Sequence, residues 1–231
     1  KTAIVRVTAV RGGAFTLDRS LFAPTSRSHR HPQPHDQGTV WWEGEKRWLE
    51  KVVERDGGPW HRLHGVVPVV GAELNCHLDG ERRLQASRAH TAMHLVLKAL
   101  HAAGAPPLVA DPEVKGGATF RLALAAAALP RLLADALAQA NRWIGEDRKV
   151  VREHLPRGAE ARLLDAQAFR PPDPYPGPAS VLDVVRIEGV CGYPCDGTHV
   201  ERTGAVGRIA LAEARGGRGG GFTLIGRVRA A

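Results

Sequence analysis

Over the first 84 residues apolar and polar positions alternate in short runs, the period of strands that bury one face. Ala3-Ile-Val-Arg-Val7 alternates, Gly12-Gly13 supplies a turn, and Ala14 to Leu17 reads as the second arm of a hairpin. Thr39-Val-Trp-Trp42, Trp48 to Val53 and His61 to Leu63 continue the pattern. A small β-barrel is the economical way to close such a set, because closure leaves no strand edge exposed.

The period changes near Ser87. This serine reads as the cap of a helix from Arg88 to Ala103, in which His90, His94 and Leu97 recur at helical spacing. Gly104 and Pro106-Pro107 then stop it. A second helix is expected from Pro130 to Ile144, with Leu133, Leu137, Asn141 and Ile144 on one face and Gly145 at its end. Val150 to His154 reads as a strand and Glu160 to Ala168 as a short helix. Five prolines between Phe169 and Pro178 demand an extended connection. Val181 to Val190 reads as a buried strand delivering Cys195 and His199, and Val206 to Ala212 with Phe222 to Val228 as a closing hairpin. The expected fold class is α+β. A barrel domain spans 1–84, and an α+β domain with an antiparallel sheet and two main helices spans 85–231.

Composition narrows the class. No apolar run approaches the roughly 18 residues a membrane span needs, and Lys1 to Val10 reads as a strand rather than a targeting leader. Three cysteines, an odd number, argue against a disulfide scaffold and for a reducing, cytoplasmic setting. Cys76 and Cys191 are expected to be buried free thiols. The net charge is +8, and six lysines leave 26 arginines among the 32 basic residues. Arginine's planar fork matches phosphate oxygens, so a polyanionic partner fits the charge.

Two motifs a hundred residues apart carry the chemistry. His90-Thr-Ala-Met-His94 puts two imidazoles one helical turn apart on one face, and Cys195-Asp-Gly-Thr-His199 adds a thiolate and a third imidazole. Three nitrogens and one sulfur make a Zn²⁺ ligand set: His90, His94, Cys195 and His199. A catalytic zinc needs an open position or one weakly held ligand, whereas a closed set would only staple two segments together. A zincin protease is excluded, since its general-base glutamate would stand where this chain has Thr91. No Gly-x-Ser-x-Gly elbow, Walker loop or dinucleotide fingerprint is present. The stretch His29-Arg-His31-Pro-Gln-Pro-His35 reads as a stiff proline-rich loop, and the five tryptophans as packing residues.

Taken together, the motifs resemble the AlaX family, free-standing relatives of the alanyl-tRNA synthetase editing domain. Arg88-Ala-His90-Thr-Ala-Met-His94-Leu95 is similar to that family's helix motif, and Cys195-Asp-Gly-Thr-His-Val200 to its second motif, with Asp196 in place of a glycine. Leu17-Asp-Arg-Ser20-Leu-Phe22-Ala-Pro24 and Gln33-Pro34-His-Asp36-Gln-Gly38 extend the likeness to the N-terminal part. Ser20 replaces the family's threonine, and a longer Ser26 to Pro32 segment replaces its glycine cluster.

The resemblance implies the longer family form with an N-terminal barrel. It also implies zinc-dependent, ATP-independent hydrolysis of the ester joining a wrong amino acid, serine first and glycine second, to tRNA(Ala). His90 or His199, if not firmly ligated, would orient the attacking water, and Thr91 and Ser20 would hydrogen-bond a serine side chain. The competing expectation is a non-catalytic RNA-binding module with a structural zinc.

Overall fold

The computed structural model describes residues 1–25, 33–105, 108–125, 129–156, 181–216 and 221–229. The chain folds as two compact units, Lys1–Ser26 with Pro34–Leu84, and Arg27–Gln33 with Gln85–Ala231. The expected helix at Glu160 to Ala168, the connection at Phe169 to Pro178 and most of the histidine-rich loop lie outside the described residues.

The first unit is a closed antiparallel barrel of six strands: β1 Thr2–Arg11, β2 Ala14–Leu17, β3 Gly38–Trp42, β4 Glu45–Arg55, β5 Gly58–Leu63 and β6 Glu73–Leu78. They are ordered β1-β2-β5-β4-β3-β6, and β6 pairs back onto β1, Val5 opposite Leu74. Alternation sets the interior: Val5 and Val7 are buried while Ile4 stands 60% exposed. Gly12 and Gly13, both at positive φ, form the two-residue loop between β1 and β2 that a primed turn requires. Trp60 is buried beneath Arg55, whereas Trp41 and Trp48 are exposed.

The long helix α1, Gly80–Ala102, begins eight residues ahead of the expected Arg88. Asp79 is the cap: its carboxylate accepts the Arg82 N–H at 3.0 Å. Ser87 therefore lies within the helix, and its hydroxyl donates to Thr198 instead of capping. At the far end the Ala105 N–H reaches the Leu100 carbonyl at 2.9 Å and Gly104, at positive φ, closes a Schellman turn. From Ala89 to Leu97 every residue of α1 is buried, so the helix forms the centre of the second unit's core.

α2, Leu129–Gly145, buries Leu133, Ala136, Ala140 and Ile144. Leu137 and Asn141 border that stripe instead of lying at its middle, and Asn141 uses the position to grip the Ile209 backbone at both N–H and C=O. Two antiparallel sheets complete the unit. β9 Val150–Pro156, β10 Val181–Ile187 and β11 Cys191–Pro194 form one, ordered β11-β10-β9. The strand expected over Val181 to Val190 ends at Ile187, and Glu188 to Val190 turn the chain into β11. β7 Leu108–Val114, β8 Thr119–Ala125, β12 Arg208–Gly216 and β13 Gly221–Arg229 form the other, ordered β12-β13-β8-β7. The closing hairpin is β12–β13, and the β7–β8 hairpin extends it. The α+β class and the N-terminal barrel are as expected. No helix among the described residues is long and apolar enough to cross a membrane.

Candidate metal centre

α1 presents His90 and His94 one turn apart with their rings nearly parallel, 5.0 Å between centroids and 9° between planes. Strand β11 ends at Pro194, so Cys195 enters the site directly from the sheet, its N–H held by the Asp183 carbonyl at 2.9 Å. His199 follows after the Asp196-Gly-Thr198 bend. One donor atom from each of His90, His94, Cys195 and His199 lies within 4.8 Å of every other. The sequence expectation that two distant motifs converge is met.

The outer hydrogen bonds determine which ring nitrogen faces inward. Gln33 Oε1 accepts the His90 Nδ1–H at 2.8 Å and the Thr198 N–H at 3.0 Å, while Gln33 Nε2 donates to Thr198 Oγ1 at 2.8 Å. Ser87 Oγ also donates to Thr198 Oγ1, at 2.9 Å. On the other side Thr91 Oγ1 donates to the Ser87 carbonyl at 3.0 Å and so must accept from His199 Nδ1 at 3.1 Å. His90 and His199 are both Nδ1–H tautomers, with Nε2 lone pairs 3.3 and 3.2 Å from Cys195 Sγ.

This donor set fits a cation. A thiol carries one proton and can satisfy only one of the two lone pairs aimed at it. In tetrahedral zinc coordination a sulfur and a nitrogen stand about 3.5 Å apart, close to these separations. Burial pushes the Cys195 thiol well above its ordinary value, a cost that a bound cation offsets by stabilising thiolate. Tyr193 stacks on the outer face of His94, 4.7 Å between centroids, and narrows the ring's freedom. His90, His94 and Cys195 are buried, and only His199 is partly exposed.

Local sequence explains the loop. A Cβ on Gly197 would overlap the His90 ring, so the bend closes over that imidazole only with glycine there. Arg152 on β9 binds the Asp196 and Gly197 carbonyls from behind. Gln33, Ser87, Thr198, Gly197 and Arg152 were not among the residues expected to build the site. Gln33 carried one signal, its place in the Gln-Pro-x-Asp pattern.

The remaining expected residues lie as follows. Thr91 sits beside His199 with its proton committed to the helix backbone. Ser20 belongs to the barrel unit, where its hydroxyl donates to His61 Nε2 at 2.7 Å and accepts the Phe22 N–H at 3.0 Å. Cys76 and Cys191 are free and buried, and burial pushes both thiols up to about 12. His35 in the barrel unit is half-buried, and desolvation lowers its pKa below the ordinary value.

The fold and site define a six-stranded barrel joined to an α+β unit that carries a buried three-histidine, one-cysteine cluster. Proteins of similar sequence include alanine–tRNA ligases. The chain is 31% identical to that of Methanopyrus kandleri over 221 residues, 91% of the chain and 23% of the ligase. It is 32% identical to that of Korarchaeum cryptofilum over 218 residues and 31% identical to that of Thermofilum pendens over 209. The chain spans less than a quarter of the length of these curated relatives. No family model matches it. The chain is an AlaX-like homologue of one segment of alanine–tRNA ligase, as its motifs suggest.

Proposed function

We propose that this protein is a zinc-dependent aminoacyl-tRNA deacylase, acting in trans and without ATP in the cytoplasm on tRNA(Ala) that carries a wrong amino acid, serine first and glycine second. The observation that carries the reading is the convergence of four donor atoms, two of them nitrogens fixed inward by Gln33 and Thr91. The similarity to alanine–tRNA ligases supports tRNA(Ala) as the substrate's carrier.

His90, His94, Cys195 and His199 would hold zinc, which would supply Lewis-acid chemistry at an acyl oxygen or a water. The protein's own groups do the rest. His199, the one partly exposed member of the four, would be the histidine that substrate water reaches, and its Nε2 would take a proton from that water if it is not ligating. Water adds to the ester carbonyl, the ribose oxygen leaves with a proton, and free amino acid and tRNA are released. Thr91 holds His199 in the required tautomer, and the geometry favours that positioning role over reading the substrate's hydroxyl. Ser20, the other residue that the resemblance assigns to the serine side chain, has its proton committed to His61 Nε2 in the same way.

A second reading, a non-catalytic RNA-binding module with a structural zinc, is favoured by the burial of three of the four ligands. Incubation with Ser-tRNA(Ala), Gly-tRNA(Ala) and Ala-tRNA(Ala), with metal content measured, separates the two. The deacylase releases serine or glycine and spares alanine. Release of neither from metal-loaded protein leaves the structural reading standing.

A further inference from the structure

Among the described residues the four-stranded sheet buries one face and leaves the other open. Ile209, Val228, Phe120 and Leu122 point into the core. The alternate positions therefore point out, and at one end these are Arg208, Arg227 and Arg229, all exposed. Register places Arg208 directly opposite Arg229, and Arg227 between Ala210 and Thr119 on the neighbouring strands. Like charges directly opposite in an antiparallel pair destabilise it. Several other arginines of this unit meet carboxylates: Arg148 with Glu146, Arg186 with Glu153, Arg202 with Asp147. Among the described residues no carboxylate lies within ion-pair distance of Arg208, Arg227 or Arg229. Further along the same face Arg121 and Lys115 share the single carboxylate of Glu113, which extends the positive excess across β8.

We propose that this open sheet face docks the sugar–phosphate backbone of RNA, with Arg208, Arg227 and Arg229 as the phosphate-binding group. The inference rests on the tRNA reading above and gives it a surface. Opposed positions lie about 5 Å apart and alternate positions on one strand about 7 Å, so three guanidinium forks cover a patch the size of adjoining phosphates. Each fork can engage two phosphate oxygens. Small Ala210 and Thr119 beside Arg227 leave the backbone room to approach. The contacts fix orientation and carry no base specificity. β12 begins at Arg208 shortly after His199, so the docked backbone and the candidate metal centre are parts of one unit.

The test measures binding of a short RNA hairpin by fluorescence anisotropy across a salt series. R208Q/R227Q/R229Q is expected to weaken binding at least about tenfold and to flatten the dependence of log Kd on log salt by about 2 to 3. R208K/R227K/R229K should keep most of the affinity and guards against a folding failure of the glutamine variant. The control R6Q/R11Q/R55Q removes the same charge from exposed, ion-paired barrel positions and should change binding less than about threefold. Equal loss in both glutamine variants, or none in the sheet variant, overturns the proposal. So does tighter binding of polyglutamate or anionic vesicles than of RNA. If the sheet variant binds normally while wild type still deacylates Ser-tRNA(Ala), this surface is wrong and the enzyme reading stands. If wild type neither binds RNA nor deacylates, the enzyme reading itself fails.

Discussion

The barrel and the second unit each bury histidine, and they satisfy it in different ways. His61 is fully buried between Phe15 and Phe22, yet its ring is complete: Nδ1–H reaches the Phe15 carbonyl at 3.3 Å and Nε2 accepts the Ser20 hydroxyl. His90 and His199 are held at Nδ1 by Gln33 and Thr91, and both turn Nε2 toward the same sulfur. A buried imidazole with two protein partners is a structural element. A set of three imidazoles and one thiol converging within 4.8 Å is instead a ligand set that suits a cation.

The largest expected effect breaks the second arrangement. Cys195→Ser should lower both zinc content and Ser-tRNA(Ala) deacylation by at least about a hundredfold, beyond the usual cost of an outer-sphere change. Elemental analysis with a deacylation assay checks this. A melting curve that collapses instead of a folded, inactive protein would move the cluster to the structural reading.

The barrel responds to acid. Burial holds His61 down at about 4, below the ordinary 6.5, so the neutral ring is the form the fold prefers. The stability it lends is whole above pH 6.5 and is lost as pH falls toward 4, about 3 kcal/mol in all. Denaturant titrations at pH 7 and pH 4.5, with chelator in both arms, should show a smaller acid loss in His61→Gln than in wild type. An identical loss would mean that the barrel imidazole is not the sensitive group.

Smaller changes sharpen the contrast. Gly197→Ala forces a methyl into the His90 ring and should cost about 1–3 kcal/mol, read as a lower melting temperature with weakened zinc binding. Gln33→Ala leaves the His90 tautomer unfixed and should weaken zinc about 10- to 100-fold, with little change in the melting of the chelated protein. Unchanged zinc affinity would remove Gln33 from the site's support.

The hydrophobic pattern made the barrel legible, because alternation and glycine turns are local signals. The four ligands were legible because two motifs each hold their spacing within five residues. The start of α1 was not. Ser87 is a good cap by type, but Asp79 captures the Arg82 N–H and the serine is used to bind Thr198. The β7–β8 hairpin was missed because Pro112 and two register shifts interrupt its alternation. Gln33 acts across 165 positions of chain on Thr198, and no periodicity reports a contact of that kind.

The buried thiols of Cys76 and Cys191 give the molecule a pair of internal clocks. With proton affinities near 12 neither is nucleophilic at neutral pH while enclosed, so an alkylating reagent reaches them only when the surrounding structure opens. One thiol lies in each unit. Their labelling rates, followed separately by peptide mass, time the breathing of the barrel and of its neighbour in a single tube.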